Sequence, residues 1–241
     1  MKPPVIIPAY QPGPELEPLV KALLSDGQTD VIVVDDGSSP AHTTIFSALK
    51  DLPRVHLLRH EVNFGKGKSL KTAFEYFLTR FPEAPGAVTA DADGQHLPGD
   101  IAAIGRCLEE NGSALCLGTR KFKGVVPARS LFGNTMTRMV FRLFSGKAVS
   151  DTQTGLRGIP RAFLPGLLKV RANGYSFELE MLLMAVRSGL RIIETPIETV
   201  YLAGNTTSHF NPLLDSIRIY SVFLRFAASA LLAPGPRRER P

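Results

Sequence analysis

Short unbroken apolar runs alternate with segments of helical spacing along the first half of the chain. Val5-Ile6-Ile7, Val31-Ile32-Val33-Val34, Val55-His56-Leu57-Leu58, Gly86-Ala87-Val88-Thr89-Ala90 and Ala114-Leu115-Cys116-Leu117-Gly118 predict strands. Continuous runs of this length suit parallel strands buried on both faces. Between them, residues 15–24 carry apolar positions at 16, 19, 20, 23 and 24, and residues 41–50, 70–80 and 101–110 also read as helices. Alternating strands and helices predict an α/β fold with a mostly parallel central sheet and helices on both faces. In such a sheet, ligands sit outside the carboxyl ends of the strands. The polar turns that follow the runs therefore collect at one edge: Pro8-Ala9-Tyr10, Asp35-Asp36, residues 63–69, Asp91 to Gln95, and Gly118-Thr119-Arg120.

The second half has a different pattern. Residues 121–130 read as a basic loop with Lys121, Lys123 and Arg129. Asn134 to Phe144 read as a helix with Arg138 and Arg142 on one face. Ser150 to Gly155 form a polar turn. Ser176 to Arg187 predict a helix with Glu178 and Glu180 at its start, and short strands are expected at 191–194 and 197–201 around Pro196. A polar loop covers 203–211. Leu213 to Leu232 read as a long apolar-rich helix that carries Arg218 and Arg225 and suits either a membrane surface or the core. Residues 234–241 predict a disordered basic tail. No uncharged apolar run is long enough to predict a transmembrane helix, and the N-terminus lacks the apolar stretch of a secretory signal.

Composition narrows the classes. With 241 residues, 44% hydrophobic and 21% charged, the chain has room for one large α/β domain or two small ones. The net charge of +6 suits an anionic partner such as a nucleotide, a phospholipid surface or nucleic acid. Aromatic residues are 8% and do not interleave with basic ones into a stacking platform, so no nucleic-acid partner is expected. Cys107 and Cys116 have no metal-ligand spacing, which fits a reducing compartment.

The candidate chemistry lies in the turns. Asp91 and Asp93, two apart after a strand end and followed by Gly94, can converge on one hard divalent ion that leaves its other positions to water and phosphate; a solvated polar turn is the plain alternative. Asp35 and Asp36 suit a ribose or base N–H, or a helix cap. Gly65-Lys66-Gly67-Lys68-Ser69 is a basic glycine loop before a helix, able to approach an anion, but without P-loop spacing. Arg120 and Arg129 suit phosphate oxygens, or a solvated loop. Asp151 suits a general base or an orienting group, or an Asx turn; His96 and His209 suit ligands, proton carriers or structural roles.

Val5-Ile6-Ile7-Pro8-Ala9-Tyr10, Val33-Val34-Asp35-Asp36-Gly37-Ser38, Asn63-Phe64-Gly65-Lys66-Gly67 and Asp91-Ala92-Asp93-Gly94-Gln95-His96, in this order, closely resemble the family 2 glycosyltransferases. Asp151-Thr152-Gln153-Thr154-Gly155 is similar to the acceptor-side motif of the dolichyl-phosphate mannose synthase and polyprenyl-phosphate glycosyltransferase branch. The resemblance implies one GT-A domain over residues 1–233, with a nucleotide-sugar half at about 1–120 and an acceptor half at 121–233. It implies inverting transfer from a UDP- or GDP-sugar to a polyprenyl phosphate, with Mg²⁺ or Mn²⁺, at the cytoplasmic membrane face. A separate membrane protein is an expected partner, since some relatives continue into transmembrane helices and this chain stops at Pro241. The alternatives are transfer to a saccharide hydroxyl and a non-catalytic nucleotide-binding module.

By the same resemblance, Pro8, Tyr10 and Asp36 line the nucleoside pocket with Lys68 near it. Asp91 and Asp93 serve the metal and diphosphate, and Gln95 also contacts the metal. Arg120 and Arg129 hold phosphate, and Asp151 is the base or acceptor-orienting residue. The sequence departs from the family in Gln11-Pro12, where Asn-Glu is usual after the tyrosine, and in Gly94, where the mannose synthases often carry Leu or Met.

Overall fold

The computed structural model describes residues 1–25, 29–120, 137–143 and 145–198. A single sheet is built from β1 (Val5–Ala9), β2 (Val31–Asp35), β3 (Val55–Arg59), β4 (Gly86–Thr89), β5 (Ala114–Arg120), β6 (Arg157–Pro160) and β7 (Arg191–Ile197), in the order β3-β2-β1-β4-β6-β5-β7. β6 alone runs against its neighbours β4 and β5; the remaining pairs are parallel, as the alternating pattern predicts.

Alternate residues of each strand face opposite sides of the sheet, and each side has its own core. Val5, Ile7, Val31 and Val33 pack with α1 (Leu16–Leu24), α2 (Thr43–Lys50) and α4 (Pro98–Glu110). Ile6, Ile32 and Val34 pack with α3 (Lys66–Arg80) and α5 (Ser176–Arg187), through Leu70, Phe74, Phe77, Phe177 and Leu182. Burial on both faces explains why the central strands read as unbroken apolar runs.

Three elements differ from the sequence reading. β6, with sequence Arg157-Gly158-Ile159-Pro160, was not expected as a strand because three of its four residues are poor strand formers or charged. Its place is set by its neighbours: Gly86 and Ile159 bring their backbones so close that no side chain fits at Gly86. β7 is one continuous strand rather than two, running through Pro196. Among the described residues it lies at the sheet edge and pairs on one side, where a missing N–H is tolerated. α3 begins at Lys66, four residues before the predicted start, so the second half of the basic glycine loop is its first turn.

Residues 137–143 are helical, within the expected 134–144 segment. Arg129, Lys121, Lys123, His209, the 213–232 helix, the basic tail and residues 199–201 of the second expected strand lie outside the described residues. Among the described residues no helix is long and apolar enough to cross a membrane.

The start of α3 is pressed against the turn before α5. A Cβ on Gly67 would stand 2.6 Å from Phe177 Cβ and 2.9 Å from Asn173 C. Gly67→Val is therefore expected to lower the unfolding free energy by about 1–3 kcal/mol, read as a lower urea midpoint. An unchanged midpoint would mean that this contact is loose.

Candidate active site

The parallel strands deliver their polar turns to one edge, and Asp91 stands at its centre. β4 ends at Thr89, whose hydroxyl donates to Gly155 O at 2.8 Å, so the turn after β4 and the turn at 151–155 are tied together. The Asp91 carboxylate lies directly on Gly155: a Cβ there would stand 2.7 Å from Asp91 Cγ. Lys66, the first residue of α3, places its ammonium 2.6 Å from Asp91 Oδ1 and 3.0 Å from Glu178 Oε1 of α5. His96 is buried, with Nε2 3.4 Å from Asp91 Oδ2, and neither ring nitrogen makes a hydrogen bond among the described residues.

These contacts set the charge states. Burial alone would lower the Lys66 pKa, but the carboxylates of Asp91 and Glu178 outweigh it and hold the ammonium above the ordinary lysine value. Burial alone would raise the Asp91 pKa; Lys66, then His96, reverse this and hold it well below the usual carboxylate range. Asp93 is pushed the other way, first by burial and then by the charge of Asp91. Its Oδ1 accepts the Gln95 N–H at 3.1 Å. Gly94 between them has φ +72°, a conformation that glycine adopts without strain. A Leu or Met there would meet the Glu15 side chain, since even a Cβ would stand 2.9 Å from Glu15 Cβ.

This donor set fits a hard divalent ion. Two carboxylates crowd each other's charge, a cationic ammonium already sits on one of them, and the buried imidazole beside them makes no hydrogen bond among the described residues. Among the described residues no three His, Cys, Asp or Glu side chains converge into a closed metal cage. An ion held by Asp91 and Asp93 would complete its shell with water and phosphate.

Asp36 is buried and already engaged. Its Oδ1 accepts the Phe64 N–H at 3.0 Å and faces His60 Nδ1 at 2.7 Å, while Oδ2 accepts the Gly65 N–H at 2.8 Å. It thus pins the backbone that leads into Lys66 and Lys68 in the first turn of α3. Asp35 accepts the Ser38 N–H at 2.8 Å and lies 3.3 Å from Arg59 Nε. Pro8 lies within β1 rather than in the turn after it, and Tyr10 follows the strand directly; both are half-buried. Gln11 takes a positive φ of 47°, donates its N–H to Ser38 Oγ at 2.9 Å, and reaches the Tyr10 hydroxyl with Nε2 at 3.3 Å. The Gln11-Pro12 departure thus keeps Gln11 beside the tyrosine.

Arg120, at the end of β5, grips Asp151 with two parallel bonds, Nε to Oδ2 at 2.6 Å and Nη2 to Oδ1 at 2.9 Å. Asp151 is fully buried and also accepts the Gln153 N–H at 3.0 Å. The phosphate-binding candidate and the base candidate are therefore one bidentate pair. Arg157 of β6 is buried beneath this turn, donating to Thr154 O at 2.9 Å, Thr152 O at 3.4 Å and Glu178 O of α5 at 2.6 Å.

The sequence reading brought Pro8, Tyr10, Asp36, Lys68, Asp91, Asp93, Gln95 and Arg120 to this edge; it read Asp151 as part of a separate polar turn, which the bond to Arg120 joins to them, and Arg129 lies outside the described residues. It gave no separate role to Lys66, Glu178, His60, Gly155 or Arg157. Lys66 was visible in the glycine loop and Glu178 at a helix start; only their meeting on Asp91 gives them a part, and no local pattern encodes it.

Comparison with known proteins gives a consistent picture. The sequence profile described as Glycosyl transferase family 2 matches residues 5–159. A UDP-N-acetylglucosamine–dolichyl-phosphate N-acetylglucosaminyltransferase of Methanococcus voltae is 31% identical over 220 residues, covering 82% of this chain and 85% of that protein. A polyprenol monophosphomannose synthase of Mycolicibacterium smegmatis is 29% identical over 203 residues, covering 80% and 75%. Among solved structures, glucosyl-3-phosphoglycerate synthase of Mycobacterium tuberculosis superposes with a TM-score of 0.67 at 19% identity, over 94% of this chain and 81% of that one. The same enzyme in complex with Mn²⁺, UDP and glucosyl-3-phosphoglycerate gives 0.59 at 21% identity, over 96% and 79%. The likeness shows the expected GT-A fold.

The Arg120–Asp151 pair makes a stability test possible. Arg120→Met leaves a fully buried carboxylate without its cation and is expected to cost about 3 kcal/mol or more. Adding Asp151→Asn removes the orphaned charge and is expected to recover much of that loss in denaturant melts. Equal stability of wild type and the single variant would show that the pair does not hold the turn.

Proposed function

The chain belongs to glycosyltransferase family 2, and on that premise we propose that it moves a sugar, with inversion, from a UDP- or GDP-sugar to a polyprenyl phosphate of the dolichyl type. The observation that carries this reading is the contact of Asp91 with Gly155. It puts the carboxylate suited to the donor's metal in van der Waals contact with the turn whose motif resembles the acceptor side. Two relatives named for transfer to dolichyl phosphate or polyprenol support the acceptor class.

Asp91, Asp93 and Gln95 would hold Mg²⁺ or Mn²⁺, which supplies Lewis-acid neutralisation of charge on the leaving diphosphate. Pro8, Tyr10 and Asp36 frame the nucleoside, Asp36 by fixing the 63–65 backbone through the N–H groups of Phe64 and Gly65. Lys68 follows on that framed loop and adds positive charge near the nucleotide. Arg120, its plane fixed by Asp151, offers a preorganised cation to phosphate; Arg129 is assigned the same task from the family pattern. A lipid phosphate is already anionic near neutral pH, so its oxygen attacks without a base. Asp151 then orients Arg120 and the acceptor rather than taking a proton. Residues 1–120 form the donor half and 121–233 the acceptor half. The site works at the cytoplasmic membrane face, with a separate membrane protein as candidate partner.

The deciding experiment follows donor consumption by the purified protein with Mn²⁺, across UDP- and GDP-sugars, with and without a short polyprenyl phosphate. Lipid-dependent release of one nucleoside diphosphate is expected, abolished by EDTA. Release that ignores the lipid would move the acceptor to water or a saccharide hydroxyl. Tight nucleotide binding with no turnover would favour a regulatory module. Asp91→Asn is expected to lower turnover on the order of 100-fold or more, as loss of a key charge-stabilising group does; wild-type rates would sink the metal assignment.

A further inference from the structure

The geometry points to Lys66 as a cationic latch on the metal site: its ammonium holds Asp91 until a nucleoside diphosphate arrives, and Glu178 is the second seat onto which it withdraws. The inference rests on reading Asp91 and Asp93 as the divalent-ion carboxylates.

The backbone of Lys66 is fixed. Gly65 before it has φ +95° and gives its N–H to Asp36, and the Lys68 N–H after it donates to Asn173 O at 3.1 Å. The side chain is the movable part. From that fixed point its ammonium reaches two carboxylates on different elements, Asp91 Oδ1 at 2.6 Å and Glu178 Oε1 at 3.0 Å. A divalent ion needs oxygen ligands at about 2.0–2.1 Å for Mg²⁺, and the Asp91 oxygen nearest the helix already carries a positive charge. Two cations beside one carboxylate repel strongly where solvent screening is weak. The ion alone therefore competes with the ammonium.

A diphosphate changes the balance. It brings negative charge to both cations, and the half-buried Lys66 ammonium can leave Asp91 without losing its carboxylate partner, because Glu178 is already within reach. Glu178 sits on α5, whose second residue, Phe177, packs on Gly67, so the seat is held in register with the lysine. Ion and diphosphate then bind as a pair, and the ion alone is held weakly.

The test is an electron paramagnetic resonance titration of Mn²⁺ into the full chain, alone and with UDP or GDP. Wild type is expected to bind Mn²⁺ alone weakly and to tighten with a nucleoside diphosphate. Lys66→Met is expected to bind Mn²⁺ alone about tenfold tighter or more, the scale on which groups around metal ligands set affinity, with a smaller gain from the diphosphate. Glu178→Gln keeps the lysine but removes its second seat, and is expected to weaken Mn²⁺ binding alone; it carries the test if the methionine variant fails to fold. Lys68→Met removes the same charge from the same helix turn and is expected to leave the binding of Mn²⁺ alone near wild type, its effect being confined to the diphosphate arm. Equal or weaker Mn²⁺ binding by Lys66→Met, or an equal gain by Lys68→Met, overturns the latch while the metal reading stands. No Mn²⁺ binding by wild type with either diphosphate overturns both.

Discussion

The structure depends on one crowded contact, the Asp91 carboxylate lying on the bare Cα of Gly155. It requires two chain segments more than sixty residues apart to meet with no side chain between them. The sheet enforces the meeting. Thr89 of β4 pairs with Arg157 of β6, and the Thr89 hydroxyl donates to Gly155 O. β6 runs antiparallel between two otherwise parallel groups of strands, so the turn before it returns to the carboxyl edge where β4 ends. A parallel strand in that position would bring its preceding turn to the opposite edge.

Arg157 extends the same constraint beneath the site. Burying a guanidinium is costly unless its donors are satisfied, and burial lowers its pKa. Here backbone carbonyls of the 152–154 turn and of Glu178 take the donors, and the carboxylates of Glu178, Asp151 and Asp91 supply charge nearby. One buried cation thus ties the 152–154 turn to α5, and α5 holds Glu178 against Lys66. A second cation, the Lys66 ammonium, ties α3 back to Asp91. The site is bordered by charged groups from the turn after β4, from β6, from α3 and from α5: Asp91, Arg157, Lys66 and Glu178.

Those contacts mark the boundary of what the residues alone could show. The buried parallel strands were legible because two-faced burial leaves an unbroken apolar run, as in Val31 to Val34. The carboxyl-edge turns were legible because Asp35-Asp36 and Asp91 to Asp93 directly follow such runs. β6 was hidden because its position is fixed by Gly86 and by its neighbours rather than by its own Arg-Gly-Ile-Pro sequence. The early start of α3 was hidden because glycine and lysine read as loop, although the chain there is anchored by Asp36 and Asn173. Glu178 looked like an ordinary acidic residue in the first turn of a helix. Its pairing with Lys66 is a fact of packing between α3 and α5, and no local spacing announces it.

The same distinction separates Asp151 from a free-standing base. In the sequence it is a carboxylate in a polar turn, open to either role. In the structure its two oxygens accept Arg120 twice and the Gln153 N–H once, in a position with no exposure. To take a proton it would have to weaken a bidentate bond and leave the guanidinium misaligned. A hydroxyl acceptor would demand that sacrifice at every turnover. A phosphate acceptor would not, since its attacking oxygen is already charged, and it would gain from an arginine whose plane is fixed before it arrives. The geometry of Arg120 and Asp151 therefore suits an enzyme whose acceptor brings its own negative charge.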